Sequence, residues 1–179
     1  MSSATIDSKV LMGALERARR ASSARSTLPV LTCVRLRSAQ KGATLEVQAT
    51  NLEIFLSLTV PATVEGPFDA LVPAKDLHEG IQALPVGEVR LEPVDAAPKG
   101  SKEPALMFRA SSGPTSMTFK AYGPKDFPPM TTINAEGKER PKPIMLPVDV
   151  LRAGLERVIP SAATHDVRPV LQCVCFTFK

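Results

Sequence analysis

"LPVLTCVRL" occupies residues 28–36, and "RPVLQCVCF" occupies residues 168–176. Setting 6–36 against 146–176 needs no gap. Identities fall at Val10/Val150, Leu11/Leu151, Leu15/Leu155, Glu16/Glu156, Arg17/Arg157, Pro29/Pro169, Val30/Val170, Leu31/Leu171, Cys33/Cys173 and Val34/Val174. Ten matches in 31 ungapped positions mark a fixed-offset repeat, so one supersecondary unit is used twice. The unit opens with helical spacing and closes with apolar, β-branched residues.

The first copy sets the pattern. Asp7 or Ser8 can cap a helix by accepting bonds from its first N–H groups. Val10, Leu11, Ala14, Leu15 and Ala18 then recur at the helical period and define an inner face. Lys9, Glu16 and Arg20 fall on the opposite side, with Arg17 and Arg19 on the flanks. The Ser-rich "ASSARS" (21–26) ends the helix, and strands are expected near 30–38, 43–50 and 53–61, with Asn51 at the last hairpin. The order then restarts. A strand is expected over 68–73, a helix over 74–85 with Leu77, Ile81 and Leu84 inward, and strands near 87–93, 104–110 and 115–122. "AAPKGSKEP" (96–104) reads as an exposed hairpin loop. Two such units predict a compact α+β domain over 1–130, antiparallel sheet outside and two helices on one face. The polar "TTINAEGKERPKP" (131–143) reads as a linker. At 144–179 the first unit restarts and breaks off inside its first strand after the helix.

Composition narrows the function. Hydrophobic residues make up 44% and charged residues 22%, as in an ordinary soluble domain. Aromatics are 4%, with no Trp, which weakens any reading in which bases stack on aromatic platforms. No apolar run of spanning length and no signal-peptide core stand in the sequence, so a cytoplasmic protein is expected. The three cysteines read as small core residues kept reduced, since a metal site needs more Cys or His nearby. The net charge of +4 is uneven. Residues 1–41 carry Lys9, Arg17, Arg19, Arg20, Arg25, Arg35, Arg37 and Lys41 against Asp7 and Glu16 only. That local excess points to a polyanionic partner, although a solvated helix surface would present the same residues. No phosphate-cradling glycine loop, nucleophile elbow or metalloprotease motif is present, and His78 beside Glu79 is a commonplace pair. No catalytic constellation and no cofactor are expected.

"RSTLPVL" (25–31), "LEVQATNLE" (45–53), "VPAKDL" (72–77), "ALP" (83–85), "KDFPPM" (125–130) and "HDVRPVL" (165–171) occur in order. Together they resemble the bacterial DNA polymerase III β subunit, the sliding clamp, along essentially the whole chain. The resemblance implies a clamp fold of similar domains, each made of two strand–helix–strand units. Subunits of that family join into a ring around duplex DNA, with helices lining the hole. It therefore implies a non-enzymatic processivity factor that binds double-stranded DNA without sequence preference. Lys9, Arg17, Arg20 and Arg25 become the DNA-facing residues, with Arg152 and His165, the repeat equivalent of Arg25, in the second copy. Leu171, with Arg168 nearby, corresponds to the family's groove for short peptide motifs of polymerase and clamp-loader subunits. A homo-oligomeric ring is expected of the full-length form.

Departures accompany the resemblance. Asn51 stands where family members commonly carry Asp, and Cys173 where they often carry Gly. The second domain is unfinished and a third is missing, so the chain as written is not expected to close a ring or complete a groove. The alternative is a clamp-derived, non-ring interaction module for a clamp or its loader.

Overall fold

The computed structural model describes residues 2–23, 25–38, 42–96, 105–129, 144–165 and 167–177. The expected linker at 131–143 and most of the expected loop at 96–104 lie outside them. Two compact units form, Met1–Thr131 and Thr132–Lys179.

In the first unit, β1 (Ala4–Asp7) leads into α1 (Ser8–Ala21). Asp7 caps the helix, its Oδ1 accepting from the backbone N–H groups of Lys9 at 2.9 Å and Val10 at 3.2 Å. This satisfies donors that a helix start leaves without partners. Leu11, Ala14, Leu15, Ala18 and Ala21 are buried, as the helical period requires. Val10 departs from the expected inner face and is 37% exposed. It sits on the flank of the apolar arc, where the helix surface turns toward solvent.

Residues expected to open a strand at 30 form a 3-10 turn instead, Pro29–Thr32. Proline fixes its own φ at a helical value, and the Leu31 N–H donates to the Leu28 carbonyl at 3.1 Å. β2 (Cys33–Ser38), β3 (Gly42–Thr50) and β4 (Phe55–Val64) follow. The β3–β4 turn delays β4 to residue 55. Asn51 Oδ1 accepts from the N–H groups of Glu53 at 3.0 Å and Ile54 at 2.8 Å. Leu52 is held at φ 78°, unusual for a residue other than glycine.

The second half repeats the order with β5 (Phe68–Pro73), α2 (Ala74–Ala83), β6 (Glu88–Ala96), β7 (Ala105–Ser112) and β8 (Thr115–Lys120). Leu77, Ile81 and Leu84 are buried as expected. Gly80 lets α2 approach β8, because a Cβ there would collide with the Phe119 ring.

Among the described residues, eight strands make one antiparallel sheet in the order β5-β2-β3-β4-β1-β6-β7-β8. The opening strand of each half is shared. β1 pairs with β4 of its own half and with β6 of the other, Ala4 standing opposite both Val64 and Leu91. β5 pairs with β2 of the other half, Cys33 opposite Pro73. It also meets the end of its own half through paired backbone bonds between Leu71 and Tyr122, at 2.8 and 3.1 Å. The two helices pack against each other and against the sheet. Leu11, Leu15, Leu36, Leu45, Val47, Leu77, Ile81, Leu91 and Phe108 fill the core between them. A smaller cluster of Cys33, Leu71 and Phe127 is separate from it. Arg35 closes over that cluster, its guanidinium donating to both Asp69 oxygens at 2.8 and 2.6 Å and lying 5.5 Å from the Phe127 ring centre.

The second unit holds α3 (Val148–Val158), a 3-10 turn at Ile159–Ser161 and another at Pro169–Gln172. The bonds that close the loop after the helix recur in the second copy. Ser23 N–H donates to Leu31 O at 2.9 Å and Ala163 N–H to Leu171 O at 3.0 Å. Cys33 Sγ lies 3.4 Å from Pro29 O and Cys173 Sγ 3.5 Å from Pro169 O. Burial does not repeat. Leu11, Leu15 and Cys33 are buried, whereas no residue of α3 is and Cys173 and Cys175 are exposed. The reading of all three cysteines as core residues therefore holds for Cys33 alone. In the first unit β3 and β5 pair on both sides of the strand that begins at Cys33. The matching residues 173–177 form no strand among the described residues.

Candidate nucleic-acid interface

The side of α1 turned away from the core is built by the same period that buries Leu11 and Leu15. Lys9, Gly13, Glu16, Arg17, Arg19 and Arg20 are all exposed. Four cations against one acid leave a net charge of +3 on a helix fixed by its core packing. Glu16 and Arg20 form an i,i+4 pair at 3.3 Å, so the one acid partly offsets one of the cations. Lys9 and Arg17 line a shared groove between α1 and β4, with Val10, Leu58, Thr59 and Val60 along it. Sequence reading places Lys9 and Arg17 on the helix surface but has no signal for the β4 wall, which is about forty residues away in the chain. Arg19, read as flanking, is as exposed as the residues chosen for the site.

Arg25 follows the helix in the loop closed by the Ser23–Leu31 backbone bond, and its side chain is exposed. The path of α1 along β4 and the β2–β3 register, with Arg35 opposite Gln48, bring the C-terminal end of α1, this loop and the β3–β4 turn to one end of the unit. The second helix does not add to the positive face. On α2 the exposed charges are Lys75, Asp76 and Glu79, and Glu79 pairs with Lys75 at 3.9 Å. The neighbouring His78 keeps its Nδ1 buried without a hydrogen-bond partner.

In the second unit Arg152 is exposed on α3, and His165 is exposed in the loop closed by the Ala163–Leu171 bond. Leu171 lies in the Pro169–Gln172 turn, 41% exposed, with Arg168 just before it. Leu171 lines an apolar cavity of about 570 Å³ with Leu151, Leu155, Val158 and Val174. The first-unit equivalents of these five residues, Leu31, Leu11, Leu15, Ala18 and Val34, are all buried. That cavity is the space a core occupies in the first unit. Among the described residues, no group of three or more His, Cys, Asp or Glu side chains could hold a metal ion. No helix of the described residues is long and apolar enough to cross a membrane.

Residues 3–100 match the DNA polymerase III beta subunit, N-terminal domain, family. The chain belongs to this beta-subunit family. The beta sliding clamp of Synechocystis sp. is 29% identical over 161 residues, which is 90% of this chain and 39% of that protein. The chain thus spans about two fifths of the length of the curated relative it matches. Among solved structures, the DNA polymerase sliding clamp of Bacillus subtilis superposes with a TM-score of 0.79 at 18% identity, covering 94% of this chain and 42% of that one. The sliding clamp of Caulobacter crescentus gives a TM-score of 0.61 at 26% identity over 74% of this chain and 33% of its own. The repeated α+β arrangement is accordingly the clamp fold, and the homologues are sliding clamps rather than enzymes.

Proposed function

We propose that this beta-subunit chain holds duplex DNA without reading its sequence, as part of a sliding clamp that encircles DNA and confers processivity on a replicative polymerase. The observation that carries this reading is the exposed face of α1, where Lys9, Arg17, Arg19 and Arg20 face solvent against Glu16 alone. Cations on a packed helix attract phosphate at little ordering cost. A clamp must slide, and phosphate contacts position a protein on a duplex without carrying sequence information.

In this reading Lys9, Arg17, Arg20 and Arg25 face the DNA in the first unit, and Arg152 and His165 do so in the second. Leu171 supplies an apolar wall for short peptide motifs of polymerase and clamp-loader subunits, with Arg168 at its edge. The full-length subunit joins a second copy in a closed ring, and topology rather than affinity retains it on DNA.

The test is the salt dependence of duplex binding by the 179-residue chain. Four to six phosphate contacts give a log–log slope of roughly −4 to −5 at most, with dissociation constants on the order of 10⁻⁴ to 10⁻⁶ M near physiological salt. Duplexes of unrelated sequence should bind alike. A strong preference for one sequence, or binding indifferent to salt, contradicts the reading.

A further inference from the structure

We propose that the second unit docks with the same unit of a second copy of this chain, the two exchanging their opening strands about a two-fold axis. The first unit shows how such an exchange is built. Its two halves have the same order of elements, and neither pairs its opening strand with its own first strand after the helix. β1 lies beside β6 and β5 beside β2, so each half supplies what the other lacks. The register follows one rule in both. The last residue before one helix stands opposite the first residue of the strand that follows the other helix, Asp7 opposite Glu88 and Pro73 opposite Cys33. The halves also pack helix on helix, α1 against α2.

The second unit holds the parts this exchange uses: an opening segment, α3 and a segment after the helix. Residues 144–147 and 173–177 form no strand among the described residues. Pro147 precedes α3 as Pro73 precedes α2, and Leu151 follows it at the same spacing as Leu77 follows Pro73. In a pair of copies the common register sets Pro147 opposite the partner's Cys173, Leu146 opposite the partner's Val174 and Met145 opposite the partner's Cys175. The surface suits such a partner. Ile144, Met145, Leu146, Val158 and Val170 are exposed, whereas their repeat equivalents Ala4, Thr5, Ile6, Ala18 and Val30 are buried or half-buried. Covering them would remove roughly 600 Å² per chain from water, about 1,200 Å² for the pair, where stable interfaces begin. Charge favours the same pairing. On α3 Asp149 and Glu156 balance Arg152 and Arg157, so two copies of α3 meet without the repulsion that two copies of α1 would feel. A two-fold pair uses one patch twice and closes on itself.

The experiment is sedimentation equilibrium of the full 179-residue chain over a range of concentrations. The mass should rise from 19.2 kDa toward twice that value. Half-association is expected on the order of 1–10 µM for an interface of this size. Leu146→Arg puts a charge into the covered face and should raise that midpoint by about tenfold or more. Labelling of Cys173 by a thiol reagent should slow as protein concentration rises. A gain of cross-linking tests the register. Met145→Cys should form a disulfide with the partner's Cys175 under a mild oxidant, because opposed Cα atoms of antiparallel strands stand about 4.5–5.5 Å apart. Leu146→Cys points to the other face and should cross-link far less. A chain that stays at 19.2 kDa at every concentration would overturn the proposal. So would a dimer that Leu146→Arg leaves unchanged, or cross-links that form equally at positions 145 and 146. None of these readouts involves DNA, so the proposal and the DNA reading stand or fall separately.

Discussion

Replacing Glu16 by glutamine should strengthen DNA binding. Glu16 is the sole acid among the exposed residues of α1, and its carboxylate lies 3.3 Å from the Arg20 guanidinium. Both side chains are largely in solvent, at 57% and 79% exposure, so the pair adds little to folding, about 0.3–0.5 kcal/mol for an i,i+4 contact. Its effect on a phosphate partner is larger. Glutamine removes one negative charge from the face, raising it from +3 to +4, and releases Arg20 from its nearest competitor. If that supplies one more phosphate contact, the log–log salt slope should steepen by about 0.9, and affinity at 0.1 M salt should rise by up to about eightfold. The assay is a duplex titration at several salt concentrations, with a urea melt of the same protein. Glu16→Gln combined with Arg20→Ala should return the affinity to near the wild-type value. A gain is informative because misfolding seldom improves binding. Glu16→Gln with unchanged stability and unchanged or weaker DNA binding would refute the assignment of this face to DNA.

Leu15 and Leu155 are repeat equivalents with unequal burial. Leu15→Ala should cost about 2–5 kcal/mol in urea unfolding, whereas Leu155→Ala should shift the main transition by less than about 1 kcal/mol, and equal shifts would contradict the burial difference. Glu65 accepts from Ser3 Oγ at 2.8 Å and pairs with Arg90 at 3.1 Å, which together hold its carboxyl below the ordinary value of 4.5. A lowered folded pKa gives stability that is present above the ordinary value and is lost as pH falls through the folded one. Thermal melts of Glu65→Gln should therefore respond less steeply than wild type below about pH 4.5, and parallel curves would remove the pair from the account. Burial pushes the Cys33 thiol up to about 11, while Cys173 and Cys175 are exposed. A thiol reagent should label Cys173 and Cys175 in the native protein and Cys33 only on unfolding, and native labelling of Cys33 would contradict its burial.

What could be read in advance follows from the range of each interaction. The repeat and the helical period are local, and they placed Leu11, Leu15, Leu77 and Ile81 inward and Lys9 and Arg20 outward. Val10 lies at the edge of the apolar arc, where period alone does not decide exposure. The turn at Pro29–Thr32 was missed because an apolar run with a proline at its head suits a strand nearly as well. Longer-range pairings left no trace. Nothing near Arg35 announces Asp69 as its partner, and nothing near Leu71 announces Tyr122. The basic face was legible because one helix carries it. The groove wall from β4, the Glu16–Arg20 contact and the exposure of Cys173 depend on packing that the chain reveals only when folded.

The placement of β1 has a consequence for how the chain acquires its structure as it is made. Thr5 pairs with Thr63 on one side and with Arg90 on the other, so the first strand synthesised waits for the sixth before both of its edges are bonded. At roughly 5–20 residues per second, about 4 to 17 s separate the appearance of Thr5 from that of Arg90. Until then one edge of β1 has no strand beside it, and the half-sheet of β1 to β4 offers open backbone to any neighbouring chain. Pairings so distant in sequence also slow the search for the native arrangement. A break in the chain near residue 66 should therefore yield two aggregation-prone pieces rather than two small stable ones, because each half lends its opening strand to the other.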